Sequence, residues 1–410
     1  MARVRELGVW LDGQRVATLR SPKVGRVTCE YTAEVVDGQG KGKPLLSCSL
    51  PLRSGRHDAW PFVTGLLPEG QHRSAMAGLA RVSTIDLLGM LHRFGRDVAG
   101  ALIIAADQPV ARDATAIPYG DGELEIALSE LGSHPLGLYD DSELSLAGLQ
   151  DKILLVRTPD GSWARPVHGY PSTHILKVDD RFHTGLVGAE HACLSLARAA
   201  GLSASRSEII QVGDAQCIVV ERFDRAATGP GEAAVRLHQE DTCQALGIDP
   251  DHGHGRGKYE AHGGPTFRQI AGLLDLWSAD SHAERLRLLD RATFTVAIGD
   301  ADAHGKNLAF LHPRPGEITL APLYDTVPTM AWPRLRVEAA MSIGGVTRLP
   351  DVDREALIRE GISWELSRPV VAARIDDLLD RLHAALKSDD GTVSAMGMVK
   401  SRVELLSGRS

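Results

Sequence analysis

One short polar segment limits what this chain can fold into more than any other, because residues 302–307 read Asp-Ala-His-Gly-Lys-Asn. An Asp with an Asn five residues later has the spacing of a protein-kinase catalytic loop, and Asp325, directly after Tyr324, can take the second metal-binding role. The pattern predicts that Asp302 accepts a proton from a substrate hydroxyl while Asn307 and Asp325 bind Mg²⁺. The spacing therefore predicts a kinase.

The same segment has two other interpretations. Asp, Gly and Asn also cluster in ordinary turns, because they adopt turn conformations at little cost, so a surface turn stays open at this point. Asp300 is a competing base, but it lies seven residues before Asn307 and breaks the kinase spacing. The apolar residues 293–299 favour a buried element that ends in a polar loop, and Asp302 is the predicted base.

A lysine and a glutamate further upstream add two kinase features. Residues 173–177 predict a short strand that ends at Lys177, which is the position of the strand lysine that contacts nucleotide phosphates. Glu190 begins a predicted amphipathic helix that stops at Gly201, and the glutamate could form an ion pair with Lys177, as in kinases. The alternatives are a solvated lysine at a strand end and a first-turn glutamate that suits the helix dipole.

Two further segments are predicted to form the rest of a nucleotide-binding site. Residues 145–156 begin with a turn of small residues, whose backbone N–H groups can bind phosphates, and continue as a strand. A single glycine falls far short of a G-x-G-x-x-G pattern, so this signal is weak. Residues 218–225 predict an apolar strand with a charged end, which is either the hinge over an adenine or an ordinary strand with a charged exit.

Taken in order, these segments resemble the serine/threonine kinase toxins of the HipA family. The matching segments are residues 145–152, 173–177, 220–225, 237–247, 258–260 with 263–265, 302–307 and 324–325. Residues 9–19, 45–51 and 66–70 resemble the N-terminal subdomain of the same proteins. The resemblance extends from about residue 9 to at least residue 345. It implies an α+β, protein-kinase-like two-lobed fold with an additional N-terminal β-rich subdomain and an α-helical C-lobe.

For individual residues, the resemblance implies a site that uses ATP and Mg²⁺. Asp302 matches the proton acceptor, and Asn307 and Asp325 match the Mg²⁺ ligands. The residues implied in ATP binding are Ala147, Gly148, Leu149, Gln150, Asp151, Lys152, Lys177, Glu221, Arg222, Phe223, His304, Gly305, Lys306, Asn307, Tyr324 and Asp325. Ser145 matches a serine that such toxins phosphorylate on themselves, which expels the phosphate loop and switches the enzyme off.

The resemblance also implies partners. A small helix-turn-helix antitoxin of HipB type makes most of the DNA contacts in such systems, and the protein substrate is an aminoacyl-tRNA synthetase, with glutamyl- and tryptophanyl-tRNA synthetases as candidates. The formal charge of −8 argues against DNA binding by the chain alone and is compatible with docking to a basic antitoxin. Two alternatives stay open: a catalytically silent co-repressor of HipA type, and a kinase for a small molecule or lipid.

Composition sets broad limits on the class of protein. The 410 residues are 43% hydrophobic and 24% charged, which is ordinary for a globular protein of two or three packed units. No stretch approaches the roughly 18 apolar residues of a membrane span. The first residues lack the apolar region of a signal peptide, so a cytoplasmic location is expected. The five cysteines are scattered and lie mostly in apolar runs, which favours reduced packing residues.

Turn signals and periodic segments predict the domain organisation. We expect an N-terminal subdomain over residues 1–109, with a β-hairpin at Asp12 and Gly13, and a linker rich in Pro, Gly and Asp over residues 110–139. A kinase N-lobe of strands with one helix should follow over residues 140–235. The C-lobe is expected over residues 236–410, with helices at 267–277, 284–297, 354–362 and 370–386.

Three histidines between the lobes, His252, His254 and His262, lie within eleven residues. They invite a zinc interpretation, but a Gly-rich loop lacks the rigid element that closes a zinc site, and no Cys is adjacent. A flexible loop near the substrate is the preferred interpretation.

Overall fold

A computed structural model of the protein describes residues 3–38, 40–109, 114–131, 134, 136, 143–146, 151–179, 184–229, 232–387 and 393–408. It confirms the predicted α+β fold, in which a β-rich N-terminal domain precedes a mainly β N-lobe and a mainly helical C-lobe. None of the helices within these ranges is long and apolar enough to cross a membrane.

The N-terminal domain is built on an antiparallel sheet with the strand order β6-β3-β2-β1-β7. Its first hairpin turns at Asp12 and Gly13, and both residues have positive φ (49° and 77°), as the tight turns that match strand twist require. The elements are β1 (Glu6–Leu11), β2 (Gln14–Arg20), β3 (Thr28–Tyr31), α1 (Ala33–Gly38), β4 (Pro44–Ser47), β5 (Leu50–Pro51), β6 (Arg56–Asp58), α2 (Trp60–Gly65), α3 (Gly70–Ala80), α4 (Leu87–Phe94) and β7 (Ile103–Ala105).

The N-lobe contains a second antiparallel sheet, with the strand order β12-β13-β11-β9-β10-β8. Lys177 lies on a central strand of this sheet, where it pairs with Lys152 on one side and with Ile218 on the other. The elements are β8 (Thr115–Pro118), α5 (Glu123–Ser129), β9 (Lys152–Arg157), β10 (Trp163–Val167), β11 (His174–Val178), α6 (Leu186–Ala199), β12 (Ser207–Val212) and β13 (Ala215–Glu221).

Two sequence-based expectations for this lobe need correction. Residues 110–139 were predicted to be a linker, but β8 pairs with β10 at the sheet edge, and Ala127 and Leu131 pack against the face of the sheet opposite the one that bears Lys177. The apolar spacing of residues 124, 127, 128 and 131 was a helix signal that the neighbouring Pro and Gly concealed. Helix α6 begins at Leu186 rather than at Glu190, so Glu190 lies in the second turn and not in the first.

The C-lobe is organised around α10, whose residues from Leu288 to Ile298 are all buried. The predicted C-lobe helices are confirmed within three residues at each end, and α13 follows them without having been predicted. The elements are β14 (Arg225–Ala226), β15 (Val235–Arg236), β16 (Gln239–Asp241), α7 (Thr242–Leu246), α8 (His252–Gly255), α9 (Phe267–Trp277), α10 (Ser281–Ile298), β17 (Ala309–Arg314), β18 (Glu317–Leu320), β19 (Glu338–Ile343), β20 (Val346–Arg348), α11 (Arg354–Ser363), α12 (Arg368–Leu386) and α13 (Ala395–Leu406).

A buried network of charges joins the N-terminal domain to the segment after β13. The Asp97 carboxylate accepts hydrogen bonds from Arg225 (2.8 Å) and from the Ser172 hydroxyl (2.7 Å), and the Arg222 guanidinium donates to Asp224 (2.8 Å) and to the Val98 carbonyl (3.1 Å). Buried charges are costly unless each one is paired. The network therefore permits few relative positions of the domain and the lobes.

Candidate active site

A cleft of about 740 Å³ lies between the two lobes, and α2 and α3 of the N-terminal domain form part of its wall. Most of the predicted site residues line this cleft, although Ser145 and Gly305 are not among the lining residues and residues 147–150 lie outside the described ranges. The predicted residues that line it are Asp151, Lys152, Lys177, Glu190, Glu221, Arg222, Phe223, Asp302, His304, Lys306, Asn307, Tyr324 and Asp325.

Lys177 is held by two carboxylates. Its Nζ donates to both oxygens of Glu190, at 2.8 and 3.0 Å, and to Oδ1 of Asp325 at 2.6 Å. Burial favours the neutral amine, but Asp325 and Glu190 outweigh it and raise the pKa of Lys177 above its usual value. The ammonium group is therefore charged and fixed in position on a rigid strand.

Lys152 lies beside Lys177 in the sheet register and is also buried. Burial, together with the neighbouring Lys177 charge, lowers the pKa of Lys152 to about 8. Two ammonium groups on adjacent strands repel each other, and an anion between them would relieve that repulsion. This pair can therefore accept the phosphates of a nucleotide.

The predicted catalytic loop follows the end of α10, where Gly299 adopts a left-handed conformation with φ 74°. Oδ1 of Asp302 accepts a hydrogen bond from the Tyr259 hydroxyl (2.8 Å), and Asp302 Oδ2 has no hydrogen-bond partner within the described ranges. The Asn307 side-chain amide donates to the Asp302 carbonyl (3.2 Å), which leaves its Oδ1 available for a metal. The loop thus presents one carboxylate oxygen and one amide oxygen to the cleft.

Asp300 takes a different position from that of a base. Its Oδ1 accepts the backbone N–H of Asp302 at 3.0 Å. Burial raises the pKa of Asp300 well above its usual value, and the nearby charge of Asp302 adds to the shift. Asp300 therefore supports the backbone of the loop, and the geometry favours Asp302 as the group that faces a substrate hydroxyl.

Asp325, which lines the cleft, adopts a strained backbone conformation with φ 51°. Burial works against its charge, but the Lys177 ammonium outweighs burial and holds the pKa of Asp325 below its usual value. The Asp325 side chain is still 42% exposed, so its second oxygen can reach a ligand. Asn307 and Asp325 supply hard oxygen donors, which suit Mg²⁺ bound by one or two protein groups together with phosphate oxygens and water.

The residues present therefore fit a nucleotide with Mg²⁺. The described parts of the chain bring no three His, Cys, Asp or Glu side chains together as a metal cage, and a nucleotide-bound Mg²⁺ does not need one. His252, His254 and His262 are all exposed.

The predicted hinge residues differ in what they offer to a nucleotide. Phe223 packs against the Tyr324 ring, with centroids 5.1 Å apart, and provides an apolar surface for a base. Glu221 is exposed at the end of β13. The Arg222 guanidinium is committed to the buried network with Asp224 and Val98, so this side chain is not available to ATP.

The other loop residues hold the loop in place. Lys306 donates to Asp241 (2.7 Å), and the Tyr324 hydroxyl donates to the Lys306 carbonyl (2.7 Å). His304 is buried, and its Nδ1 has no hydrogen-bond partner among the described residues. Gly305 packs so closely that a Cβ there would lie 2.5 Å from Pro265. The absence of a side chain at Gly305 therefore allows the loop to pack closely against Pro265.

Two family models cover most of the chain. Residues 144–386 match the HipA-like C-terminal domain, and residues 7–105 match the HipA N-terminal domain. The chain belongs to the HipA family.

Two relatives and one solved structure are similar to this chain over most of its length. Y4mE of Sinorhizobium fredii, named as a candidate kinase, is 37% identical over 387 residues, which cover 92% of this chain and 90% of Y4mE. The serine/threonine-protein kinase toxin HipA of Shewanella oneidensis is 28% identical over 337 residues, covering 78% and 76%. The solved complex of Shewanella HipA with HipB and operator DNA has a similar fold, with a TM-score of 0.80 and 24% identity over 98% of this chain and 96% of that chain.

Sequence reasoning missed the contribution of the N-terminal domain to the cleft of this HipA-family protein. Glu69 forms an ion pair with Lys258 (2.9 Å), and His72 contacts Asp151 (2.8 Å). Residues 66–70 had been noted only as resembling the family, because nothing in a local pattern shows which distant residue a glutamate will meet.

Ser145 is fully buried at the junction of the N-terminal domain and the N-lobe. Its hydroxyl donates to the Leu66 carbonyl (2.9 Å), and its backbone N–H donates to the Asp97 carbonyl (2.9 Å). In this conformation, the serine predicted to be phosphorylated is bound to the N-terminal domain.

Proposed function

We propose that this HipA-family chain is an ATP- and Mg²⁺-dependent serine/threonine protein kinase that acts as a toxin. The observation that carries the proposal is the gathering, in one cleft, of Lys177 bound to Glu190 and Asp325, with Asp302 and Asn307 on the opposite loop. Phosphoryl transfer uses a fixed cation, a metal-binding carboxylate and amide, and a proton acceptor. The description of Shewanella HipA as a serine/threonine-protein kinase toxin supports the same activity.

The reaction assigns a separate role to each side chain. Asp302 Oδ2 accepts the proton of the acceptor hydroxyl, while the Tyr259 hydroxyl keeps Oδ1 in place. The acceptor oxygen forms a bond to the γ-phosphorus, the bond to the β,γ-bridging oxygen breaks, and ADP leaves. The Lys177 ammonium neutralises phosphate charge, and Asn307 and Asp325 would hold the metal. Mg²⁺, when bound, neutralises the charge that develops on the transferring group.

Self-phosphorylation of Ser145 belongs to the same proposal. Because the hydroxyl is buried against the Leu66 carbonyl, the segment that carries it must first leave the N-terminal domain. A phosphate adds a charge of about −1.5 to −2 at pH 7, which would repel ATP phosphates and prevent the segment from returning. Phosphorylation would therefore switch the kinase off.

The proposed partners follow from the family. The Shewanella structure contains HipB and operator DNA, which supports a helix-turn-helix antitoxin of HipB type here, with DNA contacted mainly through that antitoxin. We propose an aminoacyl-tRNA synthetase as the substrate, either glutamyl- or tryptophanyl-tRNA synthetase, and the cytoplasm as the site of action. Phosphorylation of such an enzyme would stop the charging of tRNA and hence growth.

Incubation of the purified chain with γ-labelled ATP, Mg²⁺ and a cell lysate tests the proposal. Label on a serine or threonine of a lysate protein is the expected result, and Asp302→Asn is the control that should give none. Label on a small molecule or lipid would point to the alternative kinase class. No label at all, with binding to an antitoxin retained, would point to a silent co-repressor.

A further inference from the structure

Glu69 connects the N-terminal domain to the catalytic half of the cleft. It occupies the N-cap position of α3, yet its carboxylate makes no hydrogen bond to that helix. Instead, Glu69 Oε2 lies 2.9 Å from Lys258 Nζ, and both residues are 3% exposed. The side chain is thus directed away from its own helix and into the other domain.

Lys258 and its neighbour Tyr259 both contact the catalytic loop. The Lys258 carbonyl accepts the Gly305 backbone N–H at 3.1 Å, and the Tyr259 hydroxyl donates to Asp302 Oδ1 at 2.8 Å. The Tyr259 ring also packs edge-on against His304, with ring centroids 5.3 Å apart. Lys258 therefore holds the loop backbone at Gly305, and Tyr259 holds the side chain of the predicted catalytic base, Asp302.

The Glu69–Lys258 pair is the part of this arrangement that depends on the N-terminal domain. Burial raises the pKa of Glu69, but Lys306 and Lys258 outweigh it, and the pKa lies below its usual value. The carboxylate is therefore ionised next to a buried lysine. Removal of one partner leaves an uncompensated charge in the interior, and the segment that carries this charge must then move.

We propose that Glu69 is a positioning residue of the phosphotransfer site, which fixes Asp302 through Lys258 and Tyr259. The catalytic loop is then in place only while the N-terminal domain is docked. This inference rests on the proposed kinase function. It adds that the N-terminal domain supports the reaction itself, in addition to any role in binding partners.

Three variants test by kinetics the proposed relay from Glu69 through Lys258 and Tyr259 to Asp302. Glu69→Ala should lower kcat by about 10- to 100-fold, since small displacements of catalytic groups cost that much. The Kd for MgATP should change much less than kcat, because Lys177, Glu190 and Asp325 are untouched and only Asn307 lies on the displaced loop. Glu69→Gln keeps an acceptor for Lys258 and should recover part of kcat. Glu34→Gln, at an exposed position of the same domain, is the control that should change nothing.

A double-mutant cycle separates a relay from two independent effects. Glu69 and Tyr259 share no hydrogen bond in the structure, so a relay predicts that Glu69→Ala with Tyr259→Phe loses no more kcat than the worse single variant. A multiplicative loss would overturn the proposal, as would an equal loss of MgATP affinity in Glu69→Ala. If Glu69→Ala does not fold, the cycle is carried out with Glu69→Gln.

Hydrogen exchange provides a measurement that does not depend on kinase activity. Exchange at the Gly305 amide should rise in Glu69→Ala and stay at the parent level in Glu34→Gln, with the strands around Lys177 unaffected. Unchanged exchange at Gly305 would overturn the relay even in an active enzyme. If the parent protein transfers phosphate to no acceptor, the kinase function fails, while the exchange experiment still decides whether Glu69 supports the loop.

Discussion

Lys177 Nζ lies 2.6 Å from Asp325 Oδ1, although 148 positions separate the two residues in the chain. The first residue belongs to the N-lobe sheet and the second to a loop of the C-lobe, so their ion pair joins the lobes across the cleft. In the proposed reaction, a nucleotide with its metal would enter between these two charges. The pair therefore marks the place where phosphate charge and metal charge would replace the direct contact.

Replacement of Asp302 by Asn should remove phosphotransfer while the fold and MgATP binding are retained. Loss of a positioned base costs on the order of 10²–10⁴ in rate. The matched control is Asp300→Asn, which keeps an acceptor for the Asp302 backbone N–H and replaces a carboxyl whose pKa is raised. Rates measured with labelled ATP should fall strongly only for Asp302→Asn, and a reversed order would identify Asp300 as the base.

Lys177→Ala should abolish MgATP binding, and Lys177→Arg should restore only part of it, because a planar guanidinium does not reproduce a compact ammonium. The alanine variant also leaves Glu190 buried without its partner, which costs on the order of 3–5 kcal/mol of stability. Calorimetric titration and thermal unfolding measure the two effects. Lys41→Ala, at an exposed position, is the control, and parent-like ATP binding by Lys177→Ala would show that this lysine is not a phosphate contact.

MgATP affinity should decrease as the pH rises through about 8. The pKa of Lys152 is lowered to about 8, below that of an unfolded chain, so the protonated form that attracts phosphate is lost above this pH. The same shift has the opposite sign for folding, because between about pH 8 and the usual lysine pKa the unfolded chain binds more protons and stability from this group rises with pH. Titrations from pH 7 to 9.5 on the parent and on Lys152→Arg, which keeps its charge, should differ in slope, and equal slopes would exclude Lys152 as the cause.

Ser145→Ala should prevent self-inactivation. Mass spectrometry of the parent after incubation with ATP should find phosphate on Ser145 and reduced ATP affinity in that form, while Asp302→Asn alone should stay unmodified. The alanine also leaves the Leu66 carbonyl without its hydroxyl donor, which costs about 1–3 kcal/mol. An unmodified Ser145 in an active, ATP-treated sample would exclude the switch and leave the kinase assignment in place.

Sequence reasoning succeeded where the signal is local and long. Helices α9, α10, α11 and α12 carry several turns of apolar periodicity, and they lie where the pattern put them. The loop from Asp302 to Asn307 was found because its spacing reflects a chemical requirement within six residues. The start of α6 was misplaced because a glycine, Gly185, occupies the N-cap in a left-handed conformation and gives no side-chain signal.

The residues that sequence reasoning missed depend on contacts between distant segments. Glu69 meets Lys258 across 189 positions, and nothing near either residue predicts the encounter. Arg222 was assigned to the hinge by its position, and its side chain donates to Asp224, two residues away, and to the Val98 carbonyl of the N-terminal domain, a contact that the sequence did not predict. Such choices are decided by domain docking, which a single sequence does not reveal.

The buried contact of Asp97 with Arg225 has a consequence for the evolution of this protein. A neutral residue at either position would leave a buried network, in which Asp224 also pairs with Arg225, with unbalanced charge, at a cost that a marginally stable protein cannot easily bear. Substitutions on the two sides of the junction should therefore be inherited together. A chimera made from the N-terminal half of one relative and the C-terminal half of another should misfold unless both charges are carried over as a set.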